Sequence, residues 1–291
     1  SHNVNGATGW VKVPLVPLTF QPSEFAKIVT ILLMASLASE YNGRMTSLRD
    51  YVKLCGVLLV PFMLILLQPD LGTGLIVLVM GAAIIICAGA KRSWVLVTIA
   101  LIVLFATLLI ATSVTPGLPH VLKQYQLNRL IVFVDPSVDP SGNGYNLQQA
   151  KIAVGSGGLL GKGIGHASQA GSGFLPEAHT DFVFAVLGEE LGLFGVLLVI
   201  GLFALLMRSG FQVALKSDQL FNRIAASGVT AWFLLQAIVN IMVVMNLLPV
   251  LGVPLPFISS GGSALMANLL AVAVLLSCAR DTPDARAYLE N

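Results

Sequence analysis

Seven stretches of nearly unbroken hydrocarbon, each close to 20 residues long, fall at roughly 22–40, 51–68, 71–90, 93–113, 182–207, 225–248 and 262–279. An α-helix rises about 1.5 Å per residue, so each stretch is about long enough to cross the ~30 Å hydrocarbon layer of a bilayer. Backbone polar groups find no water there, which leaves helices as the form such runs can take. Composition agrees, because 56% of the 291 residues are hydrophobic and only 10% charged, too few to cover a water-soluble surface of this size. The expected fold class is therefore all-α: a polytopic membrane helix bundle with about seven spans. One domain is expected over residues 1–291, with a single large loop at 114–181.

Basic residues set the orientation. With alternating spans, Arg44, Arg49, Lys53, Lys91, Arg92, Arg208, Lys216, Arg223, Arg280 and Arg286 all fall on one side. Lys12, Lys27, Lys123, Arg129, Lys151 and Lys162 fall on or toward the other. The positive-inside rule then puts the C-terminus in the cytoplasm and the 114–181 loop outside. A net charge of +2 gives no nucleic-acid surface, so no nucleic-acid partner is expected. The three cysteines, Cys55, Cys87 and Cys278, lie within or at the ends of spans and suggest neither disulfides nor metal-ligand spacing. A start at Ser-His-Asn in an outer segment is expected of a chain lacking its N-terminal spans.

Within this hydrocarbon, polar residues call for reasons. Glu24 and Lys27 stand three apart on one helical face, where they can pair. An ionisable group at membrane depth costs roughly 2.5 to 3.5 kcal/mol on insertion scales, so the pair either neutralises itself or lines a groove. Asp70, in QPDLG, can cap the following helix or contact a ligand. Gln236 and Asn240 share one helical face and suit hydrogen bonds between helices. Pro249, Pro254 and Pro256, ahead of Ser259, Ser260 and two glycines, forbid a continuous helix over 247–263, so that segment must line protein or water.

The segment from Gly142 to Gly192 is the polar, glycine-rich exception to the chain's composition. Its GSGGLLGKGIG run lacks the spacing of a nucleotide-binding loop, and its glycines are read as allowing close backbone approach to a bulky ligand. Arg129, Lys151 and Lys162 could meet a pyrophosphate there. Asp181 follows His179 and Thr180 and directly precedes an apolar run. It can serve as a helix cap or as a general base at the membrane surface. Of Glu189 and Glu190, about two turns further on, at least one must be paired or face a cavity.

Taken in order, FQPSEFAK, QPDLGT, NGYNLQQAKIAVGSGGLLGKG, FLPEAHTDFVFAVLGEELG and LPVLGVPLPFISSGGS resemble the signature blocks of the SEDS family, for shape, elongation, division and sporulation. The resemblance covers essentially the whole chain. It implies a ten-span fold of which the seven spans here are the last, in the bacterial cytoplasmic membrane. It also implies an inverting peptidoglycan glycosyltransferase that polymerises lipid II at the outer face, for elongation or division. The block YNLQQAKIAVGSGGLLGKG is more similar to the elongation type.

On this resemblance Asp181 is the catalytic base, and Glu24, Lys27, Lys151, His179 and Ser259 are substrate-binding; Arg129 joins them as substrate-binding through its charge, which could meet a pyrophosphate. Ser260 departs from the family pattern, where tyrosine is common. No cofactor is firmly implied; a divalent cation, magnesium or manganese, would serve beside Arg129 and Lys151 in offsetting pyrophosphate charge, although the sequence holds no dedicated metal cage. The implied partner is a class B penicillin-binding protein transpeptidase. Two other readings stay open: a transporter of lipid-linked precursor, whose path would use Glu24, Lys27, Glu189 and Glu190, and a non-catalytic scaffold in which Asp181 only caps.

Overall fold

The computed structural model describes residues 2–4, 7–12, 19–114, 124–140, 142–171 and 173–283. Lys123 and Arg286, part of the basic pattern that set the orientation, lie outside them. The chain opens with a small antiparallel sheet, β1 (His2–Val4), β2 (Ala7–Lys12) and β3 (Thr19–Phe20), paired in that order. No apolar window foreshadowed it, since these strands are two to six residues long.

Helices follow at each expected window: α1 (Pro22–Ser39), α2 (Leu48–Leu67), α3 (Leu71–Cys87) and α4 (Arg92–Val114). The 114–181 region carries α5 (Gln124–Val134), a 3₁₀ turn at Pro136–Val138, α6 (Asn143–Ser156) and the short α7 (Ser168–Gly171). The chain then returns to the bundle through α8 (Val183–Lys216), α9 (Leu220–Val244) and α10 (Gly262–Ala279). Six of these helices are long and apolar enough to span a membrane. The third window became α3, an apolar helix of 17 residues, at the short end of what spans.

Local chemistry sets several ends. Pro22 occupies the first turn of α1, where its missing N–H costs nothing. The Ser47 hydroxyl accepts from the Arg49 amide to start α2, and an Asp70 carboxylate oxygen accepts from the Thr73 amide, 2.9 Å away, to start α3. Asp70 is thus the cap that its position suggested.

The core gathers around α9, whose Ile224, Ala225, Val229, Trp232 and Phe233 are fully buried against α1, α3, α8 and α10. By contrast α4 turns Leu96, Val97, Leu101, Leu104 and Phe105 outward, each more than half exposed. In water such a helix would be untenable; in a bilayer its solvent is hydrocarbon. Alternation of the seven helices brings the starts of α1, α3, α8 and α10 and the ends of α2, α4 and α9 to one end of the bundle. Arg44, Arg49, Lys91, Arg92, Lys216, Arg223 and Arg280 cluster at the opposite end.

Candidate active site

Asp181 lies at the end of the bundle away from the basic residues, in the turn leading into α8. The helix cap is Phe182, and among the described residues the Asp181 carboxylate accepts no hydrogen bond from the helix start. The capping role is therefore not the one it plays. The side chain is half-buried, and burial, assisted by the negative charge of Glu177, lifts its pKa to about 6; Arg129 pulls the other way and Asp70 adds a smaller upward push. Asp70 is itself raised by burial, against the pull of its Thr73 hydrogen bonds. Glu177 adopts φ +53° and accepts from the Thr180 hydroxyl at 2.8 Å, which keeps this second carboxylate close to the first.

Asp181 is held through its backbone. The Asn240 amide nitrogen donates to the Asp181 carbonyl at 2.9 Å and to the Val253 carbonyl at 2.8 Å. One turn earlier on α9, the Gln236 amide nitrogen donates to the Pro254 carbonyl at 2.8 Å. These two residues, read from sequence as interhelical partners, instead fasten the irregular proline segment and the turn bearing Asp181 to the central helix. Proline removes backbone donors from 249–256, so its carbonyls find side-chain donors.

From the other side, the Ser259 hydroxyl accepts from the Leu255 amide at 2.7 Å and donates to the Thr180 carbonyl at 2.6 Å. The Ser260 amide and hydroxyl both donate to the His179 carbonyl, at 2.7 and 2.8 Å. Ser259 therefore spends its hydroxyl on positioning the turn, and the exposed His179 side chain is left to face outward.

Glu24 and Lys27 form a closed pair beneath this assembly. Lys27 Nζ donates to both Glu24 oxygens at 2.9 Å and to Gln236 Oε1 at 3.3 Å, and sits 4.5 Å above the Trp232 ring. Their side chains are each 2% exposed, so the pair meets the site through Gln236 and opens onto no groove in this conformation. Gly72 abuts the same proline segment: a Cβ on it would stand 2.3 Å from the Leu251 carbonyl oxygen.

Arg129 reaches the site from α5. It is half-buried at the rim of an apolar cavity of about 180 Å³ between α4, α5 and Pro249–Leu251. Lys151 lies exposed on α6, and among the described residues no hydrogen bond or ion pair draws it into the Asp181 cluster. Among the described residues no three His, Cys, Asp or Glu side chains gather as cation ligands.

The glycine run has a structural use the sequence concealed. α8 is interrupted at Gly192, φ +65° and ψ −162°, and the broken helix exchanges hydrogen bonds with the loop. Lys162 and Gly163 amides donate to the Glu189 and Glu190 carbonyls, while Leu193 and Phe194 amides donate to the Gly158 and Leu159 carbonyls, all at 2.9 to 3.2 Å. A Cβ on Gly161, φ +79°, would stand 2.1 Å from the Glu190 carbonyl oxygen. Gly157 and Gly161 thus admit the backbone of α8, where a Cβ would meet the Gly188 and Glu190 carbonyl oxygens. Glu189 is fully buried and accepts from Lys162 Nζ at 2.6 Å, the Ser168 amide and hydroxyl, and the Gln169 amide, which answers the need for a partner.

A seven-helix bundle whose irregular segments converge on one half-buried carboxylate defines a polytopic membrane protein with a polar site at one end. The family described as cell cycle protein, covering FtsW, RodA and SpoVE, matches residues 1–283. The peptidoglycan glycosyltransferase MrdB of Escherichia coli (strain K12) is 38% identical over 272 residues, 94% of this chain and 70% of that protein. Stage V sporulation protein E of Bacillus subtilis (strain 168) is 38% identical over 277 residues, 95% of this chain and 72% of that protein. Among solved structures, a peptidoglycan synthase complex that coordinates polymerization and crosslinking superposes with a TM-score of 0.76 at 32% identity, covering 96% of this chain and 75% of that one. The rod shape determining protein RodA of Thermus thermophilus gives 0.62 at 29% identity, covering 97% and 72%. The chain belongs to the FtsW, RodA and SpoVE family, the SEDS proteins.

Proposed function

We propose that this chain is a peptidoglycan glycosyltransferase that polymerises lipid II at the outer face of the bacterial cytoplasmic membrane, with Asp181 as its general base. The observation that carries this reading is the half-buried Asp181, clear of any capping role, with a proton affinity raised to about 6. A base poised near neutral pH combines the ionised state with enough basicity to take a proton.

In the reaction, Asp181 accepts the proton of the acceptor N-acetylglucosamine 4-hydroxyl as that oxygen attacks the anomeric carbon of the donor N-acetylmuramic acid. The bond from that carbon to the undecaprenyl pyrophosphate breaks, and the pyrophosphate departs with the bonding electrons. A single displacement turns the α-linked donor into a β-1,4 linkage, so no covalent enzyme intermediate is required. Arg129 offsets charge growing on the leaving group, with Lys151 and His179 on the exposed approach. The apolar cavity beside Arg129 suits the first isoprenoid units of the lipid. No step is routed through a divalent cation, because the described carboxylates do not converge as ligands.

Glu24, Lys27 and Ser259 serve the substrate at one remove, by fixing the loop and turn that bear the base. The clustering of basic residues at the far end supports a cytoplasmic C-terminus and an extracytoplasmic 114–181 region. A class B penicillin-binding protein is the proposed partner, by analogy with the synthase complex. The test compares wild type with Asp181→Asn, each purified with that transpeptidase, for glycan strands formed from lipid II in liposomes. Polymer from wild type alone supports the reading; polymer from both removes Asp181 from the mechanism. Lipid II crossing the bilayer without polymer would favour a transporter instead.

A further inference from the structure

The loop that fills the break in α8 carries three aliphatic side chains with almost no protein around them. Leu159, Leu160 and Ile164 are 62%, 80% and 78% exposed. Loops over a polar site are ordinarily hydrophilic, so this grouping calls for an occupant of its own.

Helix length fixes the level at which these side chains sit. From Leu193 to Lys216, the part of α8 beyond its break has 24 residues, about 36 Å at 1.5 Å each, against a hydrocarbon layer of about 30 Å. With Lys216 at one interface, Leu193 and Phe194 stand at the other. From there down, Phe194, Leu197, Leu198, Leu202 and Leu205 are each more than half exposed and form the helix's lipid-facing side. The Phe194 amide donates to the Leu159 carbonyl at 3.2 Å and the Leu193 amide to the Gly158 carbonyl at 3.0 Å. The loop is therefore tied, by backbone bonds, to the first turn of a lipid-facing helix.

Its electrostatics suit the same place. Lys162, the one charged side chain between Leu159 and Ile164, is neutralised by the buried Glu189 at 2.6 Å and also donates to the Ser168 hydroxyl. Backbone amides of Gly161, Lys162 and Gly163 are all engaged. A loop with paired charge, satisfied amides and three outward aliphatics can enter the boundary between headgroups and acyl chains at little desolvation cost.

We propose that Leu159, Leu160 and Ile164 form a wedge inserted into the acyl boundary of the leaflet at the active-site end, anchoring the loop to lipid. Through Glu189, which gathers Ser168 and Gln169 onto α8, the wedge holds the region above the bundle at a set height over the headgroups. A substrate whose reacting sugars sit just above a membrane-embedded lipid needs such a fixed height. The insertion depends on the chain spanning a bilayer and not on which residue acts as the base.

The experiment places a nitroxide at Leu160→Cys or Ile164→Cys, in protein whose Cys55, Cys87 and Cys278 are replaced by alanine, reconstituted without partner into phosphatidylcholine and phosphatidylglycerol vesicles. Val138→Cys, on the exposed 3₁₀ turn, is the aqueous reference. Collision of the label with oxygen is compared with collision with a water-soluble nickel chelate. Insertion predicts oxygen dominating at both 160 and 164 and the nickel chelate dominating at 138. Nickel-dominated collision at 160 and 164 overturns the proposal, and so does shielding from both reagents, which would mean that protein covers the loop. Two labelled positions guard against one variant failing to fold, since these side chains pack against little that folding requires.

Discussion

Replacing Asp181 by asparagine should sharply lower activity and make the protein more stable, and the second effect should depend on pH. Burial raises the carboxyl from its ordinary 3.8 to about 6, which means that the fold disfavours the ionised form. Between about pH 4 and pH 6 the folded protein keeps a proton that the unfolded chain has released. Wild-type stability therefore falls as pH rises through that window and is level above it. A shift of this size corresponds to about 3 kcal/mol for a wholly buried group; Asp181 keeps some exposure, and screening reduces the figure to on the order of 1 to 2 kcal/mol.

Asparagine has nearly the same shape and never ionises. The expected result is that Asp181→Asn melts about 2 to 5 °C above wild type at pH 7, with the gap closing toward pH 4. Glycan-strand synthesis should fall roughly 10² to 10⁴-fold, the usual worth of a general base. The assays are thermal unfolding in one detergent across pH 4 to 8 and polymerisation of lipid II at pH 7. A variant that melts at or below wild type at pH 7, or a gap of equal size at pH 4, would refute the argument that burial strains this carboxylate.

Wild-type turnover should fall about tenfold between pH 7 and pH 5 as the base protonates, and Glu177→Gln, by removing a neighbouring negative charge, should move that fall to lower pH; an unmoved midpoint removes Glu177 from the site's electrostatics. Lys27→Met leaves Glu24 buried without its partner and should cost about 3 to 5 kcal/mol, most of it recovered in the Glu24→Gln, Lys27→Met double variant, as read by thermal unfolding. Asn240→Leu frees the Asp181 and Val253 carbonyls and should lower kcat by up to about 10²-fold with a smaller change in KM, which steady-state kinetics resolves. Gly192→Ala forces a side chain into a left-handed break, 2.3 Å from the Gly161 amide nitrogen, and should lower expression and melting temperature together.

Much of the fold was legible because the bilayer imposes a length. The seven apolar windows coincide with α1 to α4 and α8 to α10, with boundaries adrift by three residues where α2 begins through the amphipathic turn Leu48–Asp50 and by nine where α8 runs on to Lys216. The break at Gly192 was not legible, since a glycine amid GEELGLFG is as compatible with an intact helix, and only the incoming loop breaks it. The strands at 2–20 are too short for any period to register. At the site, residue types were legible and relationships were not. The spacing of Gln236 and Asn240 announced a shared face, but that they grip Pro254, Val253 and Asp181 depends on residues 13 to 59 positions away. By position alone Asp181 looked more like a cap than a base, and setting the cap aside required knowing that the helix starts one residue too late for it.

The fasteners around the site share a habit. Asn240, Gln236, Ser259 and Ser260 all take hold of carbonyls, those of Asp181, Val253, Pro254, Thr180 and His179. A grip on the main chain is indifferent to what side chain the gripped residue bears. The scaffold can thus hold these positions still while their side chains are exchanged, so substitutions at His179 or Asp181 should leave the frame standing.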